Sequence, residues 1–503
     1  MSQIMMTTDG PTEDRSEITS DSFPSQASIE TKTALAITYL KDHSDPFISA
    51  QSPTWATDTA AYNLRLPATP ALLVYARTVK HVQDAVECGM AVALKVSARS
   101  GGHSYTSLGL GGENGHLVVD LTHMNSISVD ANNHVATIGA GARLGDVARE
   151  LFDNGGRAIS HGSCPAVGLS GHILHGGYGW ASHSHGLTLD WMVGADVVLA
   201  NGTHVHCSQR ENSDLFWALR GAGSNFGIVT SYELATFAAP AVSVPFRVSL
   251  DWGTERQKMD GVTALVEFAR DMPADLNMRL MIHDVGDHGL DGVYYGNTSN
   301  LSRILSPLLE KLGGTLKMHP GTWVQGLEHY AERNCLTPST NEHGSFYATS
   351  LTLKDLSGDS LASFVRYWHR DAVALSTSGW FVQLDIHGGV NSAVSAVPNS
   401  ATAYAHRDKT FLIQFYHFAD NDDAYYPTSG IDILQNWIKA TTATLQEGDY
   451  GMYINYSDSQ LDRGTAQTLY WADNLERLRL IKKMYDPEEL FYHPQSIEPA
   501  ESR

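Results

Sequence analysis

The sequence predicts an α+β protein with two large domains, and three observations support that prediction. The chain has 503 residues, more than one ordinary hydrophobic core organises. Hydrophobic residues make up 42% of it and aromatic residues 9%, which is typical of globular proteins with a sizeable core. Strand and helix patterns alternate up to the hinge-like sequence Ala238-Ala239-Pro240, and longer helices mixed with strands follow it.

The N-terminal region has the composition of a tail. Residues 1 to about 30 are mostly Ser, Thr, Asp and Glu, which predicts a disordered segment. Met1–Asp9 lacks a basic region followed by an apolar one, so the sequence predicts no secretory signal and leaves an intracellular location open. Helical periodicity then begins, with Ala34, Ile37 and Leu40 on one face.

The regular elements that follow are predicted from their apolar patterns. Apolar runs of four or five residues predict buried strands, and apolar residues three and four apart predict helices. The predicted strands are Leu72–Ala76, Ala93–Ser97, Leu117–Leu121, Val135–Ile138, Trp191–Leu199, His204–His206, Ile228–Thr230, Trp380–Asp385 and Phe411–Phe415. The predicted helices are Val79–Val86, stopped by Gly89, then Asp146–Phe152, Asn212–Arg220 and a last one whose packed face holds Leu475, Leu478, Ile481, Met484 and Tyr485. Asn201-Gly202 predicts a hairpin turn, and Asp486-Pro487 is expected to end the last helix.

Composition and charge exclude several function classes. Lys and Arg total 34 against 55 Asp and Glu, and the net charge of −21 argues against nucleic acid and anionic membranes as partners. The sequence contains no run of about 18 apolar residues, so it predicts no membrane-spanning helix. The four cysteines, at positions 88, 164, 207 and 335, have neither metal-site spacing nor the density of a disulfide framework. The expected partner is a small-molecule substrate, and we expect a monomer.

Two glycine-rich turns each carry one nucleophilic side chain. The first, Ser100-Gly101-Gly102-His103-Ser104-Tyr105, holds His103, and the second, Gly162–Gly179, holds six glycines and Cys164. Glycine weakens helices and strands, so its use here is close approach of the backbone to a bound molecule. Neither turn has the GxGxxG dinucleotide pattern in its proper context, but the backbone N–H groups of the first turn suit a phosphate. Two such turns suggest a large flat cofactor held from two sides.

The plainer alternatives stay open for single residues. Cys164 alone fits an ordinary buried thiol, and His103 alone fits a turn histidine. The histidines crowded between His161 and His206 lack a carboxylate cluster, which disfavours a metal site. Tyr456 fits an aromatic of a core strand over Met452–Tyr456.

Polar side chains inside apolar strand patterns are the other candidates. Asp385 lies within Phe381-Val382-Gln383-Leu384-Asp385-Ile386, where a buried acid is an unusual choice. Gln383 is two residues away and faces the same side, and Gln414 sits in a similar apolar strand. An acid and amides on one sheet face suit sugar hydroxyls, and Tyr105 could stack on a sugar ring.

The two glycine-rich turns resemble those of a known family. Ser100-Gly101-Gly102-His103-Ser104 together with Gly162-Ser163-Cys164-Pro165-x-Val167-Gly168 is similar to the berberine bridge enzyme-like branch of the vanillyl-alcohol oxidase superfamily. Tyr485–Phe491 resembles the closing motif of that family, and the resemblance extends from about residue 55 to 500. Within the branch, the chain is most similar to glucooligosaccharide oxidase and related fungal carbohydrate oxidases. The segments that carry this similarity are Ser160–Gly162, His185–Trp191, Asp385–Gly389, Ala403–Asp408 and Asn455–Asp458.

The resemblance implies a fold and a cofactor. It implies a PCMH-type FAD-binding domain of two α/β subdomains, over residues 31–240 with a return at 448–503, and a substrate domain over 241–447 whose antiparallel sheet is covered by helices. It implies FAD attached twice, with His103 bonded to the flavin methyl carbon and Cys164 to the benzenoid ring. The other implied flavin-binding residues are Ser100, Gly101, Gly102, Ser104, Gly168, Gly171, Gly177 and Ile228. Two such bonds hold the ring rigidly and raise its potential, and no metal is implied.

The resemblance also implies a reaction. Tyr456 would be the base for the anomeric hydroxyl of an oligosaccharide and Asp385 its partner, with hydride passing to flavin, a lactone as product and O2 reduced to hydrogen peroxide. Because the reference pKa of tyrosine is near 10, the phenol needs a neighbour that takes up its proton. The expected substrate-binding residues are Tyr105, Gln383, Gln414 and Phe381.

The sequence departs from the family pattern in two places. Family members are usually secreted and pair an N-terminal cysteine with the equivalent of Cys88, but no cysteine precedes Cys88 here. Phe381 stands where the sugar oxidases favour tryptophan, which puts the exact sugar in doubt. The first rival function is a same-fold oxidase of fungal secondary metabolism that oxidises an alcohol or closes a ring. The second is a flavin-carrying or sugar-binding protein without turnover.

Overall fold

The computed structural model describes residues 28–284, 286, 288–331, 334–339, 342–375, 379–419 and 426–501. Most of the predicted N-terminal tail lies outside the described residues. Helix α1 (Ile29–Asp42) begins slightly before the predicted start, because the Ser28 side chain caps it by accepting the N–H of Thr31. No helix in the described part of the chain is long and apolar enough to cross a membrane.

The first sheet has four strands in the order β1-β2-β4-β3. The strands are β1 (Phe47–Ile48), β2 (Leu72–Tyr75), β3 (Val96–Arg99) and β4 (Leu117–Asp120), and the helices beside them are α2 (Trp55–Asp58) and α3 (Val79–Val92). Strands β2 and β3 both pair with β4 in parallel, and β1 is antiparallel. The prediction that α3 stops at Gly89 is wrong, since the helix continues to Val92 and ends at Ala93 with φ +56°. Gly89 serves packing instead, because a Cβ there would overlap the Val96 side chain of β3.

The second sheet has five antiparallel strands in the order β5-β6-β10-β8-β9. These are β5 (Ile127–Asp130), β6 (Val135–Gly139), β8 (Met192–Val198), β9 (His204–Ser208) and β10 (Ile228–Ala235), while β7 (Arg157–Ala158) and β11 (Phe237–Ala238) form a separate pair. The helices of this part are α4 (Leu144–Asp153), α5 (Leu169–Ile173), α6 (Ser182–His185) and α7 (Ser213–Ala222). The Asn201-Gly202 hairpin is confirmed, because β8 and β9 pair directly and Gly202 has φ +79°.

The third sheet has eight strands in the order β15-β12-β14-β13-β17-β18-β16-β19, all paired antiparallel. The strands are β12 (Val244–Leu250), β13 (Leu276–His283), β14 (His288–Tyr294), β15 (Thr315–Met318), β16 (Phe346–Leu353), β17 (Trp380–Ile386), β18 (Phe411–Phe418) and β19 (Tyr450–Gly451). The helices are α8 (Glu255–Ala269), α9 (Thr298–Leu312), α10 (Trp323–Tyr330), α11 (Gly358–Arg366), α12 (Val373–Leu375) and α13 (Thr428–Thr442), with a π-helical turn at Tyr367–Ala372.

Trp437 of α13 packs on Trp380 and Phe415, so α13 covers one face of the sheet. Residues of β17 that alternate with Trp380 point to the opposite face.

The chain ends with α14 (Arg463–Trp471) and α15 (Leu475–Tyr485). As expected, α15 stops before Asp486-Pro487, and the Asp486 carboxylate accepts the backbone N–H groups of Leu490 and Phe491. Met484 is 65% exposed, so its predicted place on the packed face is wrong. The mixture of helices and sheets confirms the α+β class. The domain boundaries at 240/241 and 447/448 stay a prediction.

Candidate active site

A cavity of about 340 Å³ brings most of the predicted site residues together. One wall is formed by the two glycine-rich turns, with His103 and Cys164, and by Ile228 at the start of β10. The opposite wall includes Gln383 of β17 and Tyr456. The predicted residues in the lining are Ser100, Gly101, Gly102, His103, Ser104, Tyr105, Cys164, Gly168, Gly171, Ile228, Gln383, Gln414 and Tyr456.

The two glycine-rich turns touch each other backbone to backbone. A Cβ added at Gly101 would overlap the backbone of Gly168, and one added at Gly168 would overlap Gly101. These glycines therefore allow the turns to meet. Gly102 has φ +74°, and a Cβ at Gly171 would meet nothing within 4 Å. Gly171 thus leaves open space at the cavity wall, and its contact with flavin stays a prediction.

His103 lies in a pocket that keeps its imidazole neutral. Burial and the positive charge of Arg143 lower the pKa of His103 to about 4. The ring of Tyr62 packs against the imidazole at 4.4 Å between centroids, with the planes 30° apart. A neutral imidazole keeps a lone pair, which bonding to a flavin carbon requires.

Two of the predicted flavin-binding residues have their polar groups engaged elsewhere. The Ser100 hydroxyl donates to the Ala140 carbonyl at 2.7 Å. Gly177 is not part of the cavity lining: its N–H donates to the Tyr453 hydroxyl at 2.9 Å, and a Cβ there would overlap Thr188. Gly177 therefore packs against Tyr453 and Thr188 outside the cavity lining, and its direct contact with flavin stays a prediction.

The residues around the cavity fit FAD. Backbone of both glycine turns lines the cavity, and Gly171 leaves room at the wall. At the other end His493 contributes a buried Nε2 with no hydrogen-bond partner among the described residues. A buried polar atom without a partner suits a polar ligand group in the cavity.

The crowded histidines support these loops. His172 accepts the N–H of Gly162 at 3.0 Å, and His175 lies between the Gly171 carbonyl and the Ser224 hydroxyl, 2.9 Å from each. The described part of the chain brings no three His, Cys, Asp or Glu side chains together as metal ligands.

Tyr456 and Asp385 line a second, smaller pocket, called the recess below, which shares Tyr456, Gln383 and Arg279 with the lining of the cavity. Asp385 lines only the recess. Burial raises the pKa of Asp385 to about 6, although the charge of Arg279 and the hydrogen bond from Gln383 act to lower it. Burial and the negative charge of Asp385 raise the pKa of Tyr456 well above its usual range. Near neutral pH the pair therefore consists of a neutral phenol and a carboxylate. The core-strand alternative for Tyr456 is wrong, because Ile454–Tyr456 is a 3-10 turn.

Arg279 is the residue of this recess that the sequence analysis missed. Its Nη1 donates to the Gln383 Oε1 at 2.8 Å, and the Gln383 Nε2 donates to the Asp385 Oδ2 at 2.6 Å. Arg279 is also opposite Asp385 in the β13–β17 pairing, and its guanidinium lies over the Trp180 ring at 4.4 Å. The available signal was an arginine inside the apolar pattern of β13, which mirrors the acid inside β17.

Aromatic rings extend from Tyr456 along the open sheet face. Tyr105 lies parallel to Tyr456 at 6.0 Å, and its hydroxyl accepts from the Gln414 Nε2 at 2.9 Å. Phe381 is not in the cavity lining; it stacks on Tyr416 at 4.9 Å, and Tyr416 packs against Tyr105. A direct contact of Phe381 with substrate stays a prediction.

Two family models match parts of this chain, and their matched regions include His103, Cys164 and Tyr456. The FAD binding domain family matches residues 70–208, and the family described as berberine and berberine like matches residues 452–498. A xylooligosaccharide oxidase of Thermothelomyces thermophilus is 45% identical over 468 residues, which is 92% of this chain and 94% of that protein. The FAD-linked oxidoreductase dpmaF of Metarhizium anisopliae is 44% identical over 465 residues, 92% of this chain and 90% of that protein.

A solved structure of glucooligosaccharide oxidase from Acremonium strictum is also similar. It has a TM-score of 0.89 and 42% identity, and the alignment covers 93% of this chain and 100% of that one. That oxidase carries a 6-S-cysteinyl, 8α-N1-histidyl FAD. The matched regions of this chain include both glycine-rich turns and the turn that carries Tyr456.

Proposed function

The chain belongs to the berberine bridge enzyme-like family of FAD-linked oxidases, and from that premise we propose that it oxidises the anomeric hydroxyl of an oligosaccharide to a lactone. The observation that supports this reaction best is that Tyr456 and Asp385 both line the recess, together with the amide of Gln383. This recess offers one proton-transfer pair and polar groups that suit sugar hydroxyls. We also propose that the enzyme works as a monomer, because its net charge of −21 opposes self-association.

FAD is the cofactor, held through His103 and Cys164, as the fit of the cavity supports. When bound, it accepts the hydride from the sugar and passes the electrons to O2, which leaves as hydrogen peroxide. The chain itself aligns the sugar, excludes water and moves the proton. We propose that Ser104, Gly102, Gly168, Gly171 and Ile228 contact the cofactor from the cavity wall.

Tyr456 and Asp385 act as a proton relay. The phenol oxygen receives the proton of the anomeric hydroxyl while the phenol proton passes to the Asp385 carboxylate. Without the carboxylate, a phenol with so high a pKa would be a poor base at neutral pH. Arg279 and Gln383 hold the carboxylate in place, and Tyr105 and Gln414 form the adjacent wall for the sugar.

The test is hydrogen peroxide production from reducing oligosaccharides. Purified protein is supplied with xylobiose, cellobiose or maltose in air, and peroxide is measured with a coupled peroxidase assay. We expect peroxide and one equivalent of aldonic acid from at least one of these sugars. No peroxide from any of them would reject the oligosaccharide substrate.

A second candidate is the oxidation of a non-sugar alcohol, or a ring closure, in fungal secondary metabolism. One observation favours it: the 44% identity to the FAD-linked oxidoreductase dpmaF. Absence of turnover on all sugars together with an intact bound flavin would favour this candidate.

Removal of either attachment residue is expected to leave one covalent bond to flavin. His103→Ala and Cys164→Ala should each keep flavin colour in the acid-precipitated pellet, and the double variant should release all of it. The reason is that the two side chains lie on separate turns and each bonds a different carbon of the flavin, the methyl carbon for His103 and a ring carbon for Cys164. Absorption of the pellet and the supernatant near 450 nm measures this. Full retention by the double variant would contradict the assignment, and Cys335→Ala serves as the control because Cys335 does not line the cavity.

Activity is expected to depend on the ionisation of Asp385. Because the pKa of Asp385 is about 6, its carboxylate is present above that pH and lost below it. The kcat/KM should therefore be level above about pH 7 and fall about tenfold per pH unit well below pH 6. A pH profile from pH 4.5 to 8.5 measures this, with flavin absorption as the check on cofactor content. A profile that stays flat down to pH 4.5 would contradict the relay.

A further inference from the structure

We propose that Arg143 is the positioning residue that aligns the His103 turn with the Cys164 turn for attachment of FAD. This inference rests on the proposed attachment at His103 and Cys164. Arg143 precedes α4 and is not part of the cavity lining, so it acts on the cofactor only through the two turns.

One nitrogen of Arg143 ties the two turns together. The Nη1 atom donates to the Gly101 carbonyl at 2.5 Å and to the Ala166 carbonyl at 2.6 Å. Gly101 is two residues before His103, and Ala166 is two residues after Cys164. A guanidinium presents several N–H groups in a rigid plane, so it can hold two carbonyls at a set separation.

The backbone around Arg143 is itself paired with the Cys164 turn. Three backbone hydrogen bonds join the two segments: Leu144 N to Val167 O at 3.0 Å, Gly145 N to Pro165 O at 3.0 Å, and Leu169 N to Ala142 O at 2.9 Å. A few residues earlier, the Ala140 carbonyl accepts both the Ser100 hydroxyl and the Ser170 hydroxyl, at 2.7 and 2.6 Å. Residues 140–145 therefore form a bridging segment between the two turns, and Arg143 is its charged member.

The charge of Arg143 favours the reactive, neutral form of His103. Burial lowers the pKa of His103, and the guanidinium lowers it further, so the imidazole stays neutral. Burial lowers the pKa of Arg143, while the negative charge of Asp120 acts to raise it.

Each attachment replaces one hydrogen on the flavin. At His103 the imidazole N–H and one C–H of the methyl group are lost and a C–N bond forms. At Cys164 the S–H and a ring C–H are lost and a C–S bond forms. In each case two electrons and two protons leave to O2 as one hydrogen peroxide, so the steps balance with O2 as the oxidant. Both bonds form to one rigid ring system, so the two turns must be held at a matching separation.

Arg143→Gln tests the proposal, with Arg149→Gln as its matched control. Arg149 lies on α4, is largely exposed and pairs with Asp146, so it shares the helix and the charge but not the turns. Purified proteins are examined by intact mass under denaturing conditions and by peptide mapping of the His103 and Cys164 peptides. Total flavin is measured on the native protein by absorption. Arg143→Lys is included because lysine keeps the positive charge but lacks the planar guanidinium that can donate to two carbonyls at once.

We expect the fraction of chains with both bonds to fall at least tenfold in Arg143→Gln while total bound flavin stays within twofold of wild type. Arg143→Lys should recover at least threefold over the glutamine variant but remain below wild type, and Arg149→Gln should equal wild type. If Arg143→Gln does not fold, Arg143→Lys becomes the test of the proposal. We then expect the fraction of chains with both flavin bonds to be at least threefold lower in Arg143→Lys than in wild type, with total bound flavin unchanged.

Two results would overturn the proposal. One is a fraction of chains with both flavin bonds in Arg143→Gln that equals the wild-type fraction. If Arg143→Gln does not fold, the same result in Arg143→Lys would overturn the proposal. The other is loss of covalent and non-covalent flavin together from both Arg143 variants, which would show only a general role in the fold. Absence of covalent flavin from the wild-type protein would instead reject the attachment on which this inference rests.

Discussion

Tyr456→Phe is expected to lower kcat on the sugar that the wild-type enzyme oxidises by about 10²- to 10⁴-fold, the usual range for loss of a general base. The substitution removes only the oxygen that receives the proton of the substrate. The ring stays, so its contact with Tyr105 and the shape of the recess are kept. Steady-state peroxide production measures the loss.

Bound flavin and thermal stability provide the controls for this variant. Both should match wild type, because the phenol oxygen of Tyr456 makes no hydrogen bond among the described residues. Tyr75→Phe is a matched control, since it removes a hydroxyl that donates to Asp58, and neither residue lines the cavity. A kcat for Tyr456→Phe within tenfold of wild type would reject Tyr456 as the base.

Asp385→Asn is expected to lower kcat by about 10²-fold or more, because the phenol then has no group to take its proton. Asparagine keeps the size of the side chain and can still hydrogen-bond to Gln383. Peroxide production at pH 8 measures the effect, and the acid limb of the pH profile should disappear with it. A variant that keeps both the activity and the acid limb would show that Asp385 is not the proton acceptor.

The same substitution is expected to leave the fold as stable or more stable at high pH. The pKa of Asp385 is about 6 in the folded protein and lower when unfolded, so folding favours the protonated acid. Stability from this group is present at low pH and is lost as the pH rises through about 6, at a cost of about 3 kcal/mol. Asparagine avoids that cost, although Arg279 loses a nearby negative charge.

Unfolding by urea near pH 5 and near pH 8 tests this expectation. The free energy of unfolding of Asp385→Asn relative to wild type should increase between the two pH values. A variant that becomes relatively less stable at pH 8 would contradict the burial argument.

Much of the fold could be predicted from the sequence because local patterns determine it. Leu117–Asp120 is a fully buried strand with a continuous apolar run, and Asn201-Gly202 has the geometry that a hairpin turn needs. The end of α3 could not be predicted, because Gly89 is needed for packing on β3 and not for ending a helix. Only the tertiary neighbour Val96 reveals that difference.

Part of the site could also be predicted from the sequence, because local patterns mark some of its residues. Asp385 is conspicuous as an acid inside an apolar strand, and glycine marks the two turns. Arg279 and Arg143 were missed because their roles depend on residues far away in sequence. Arg279 acts across a strand pairing on Asp385, and Arg143 joins carbonyls of two turns that are 65 residues apart between Gly101 and Ala166. The only local sign of Arg279 is a charged residue inside the apolar pattern of β13, and the hydrogen bonds of Arg143 leave no local pattern.

The mass of the wild-type chain under denaturing conditions tests the central claim most directly. We expect a single species heavier than the polypeptide by one FAD, less the two hydrogens removed with each bond, and flavin on both the His103 and the Cys164 peptides. A polypeptide at its bare mass, with all flavin in the supernatant, would contradict it.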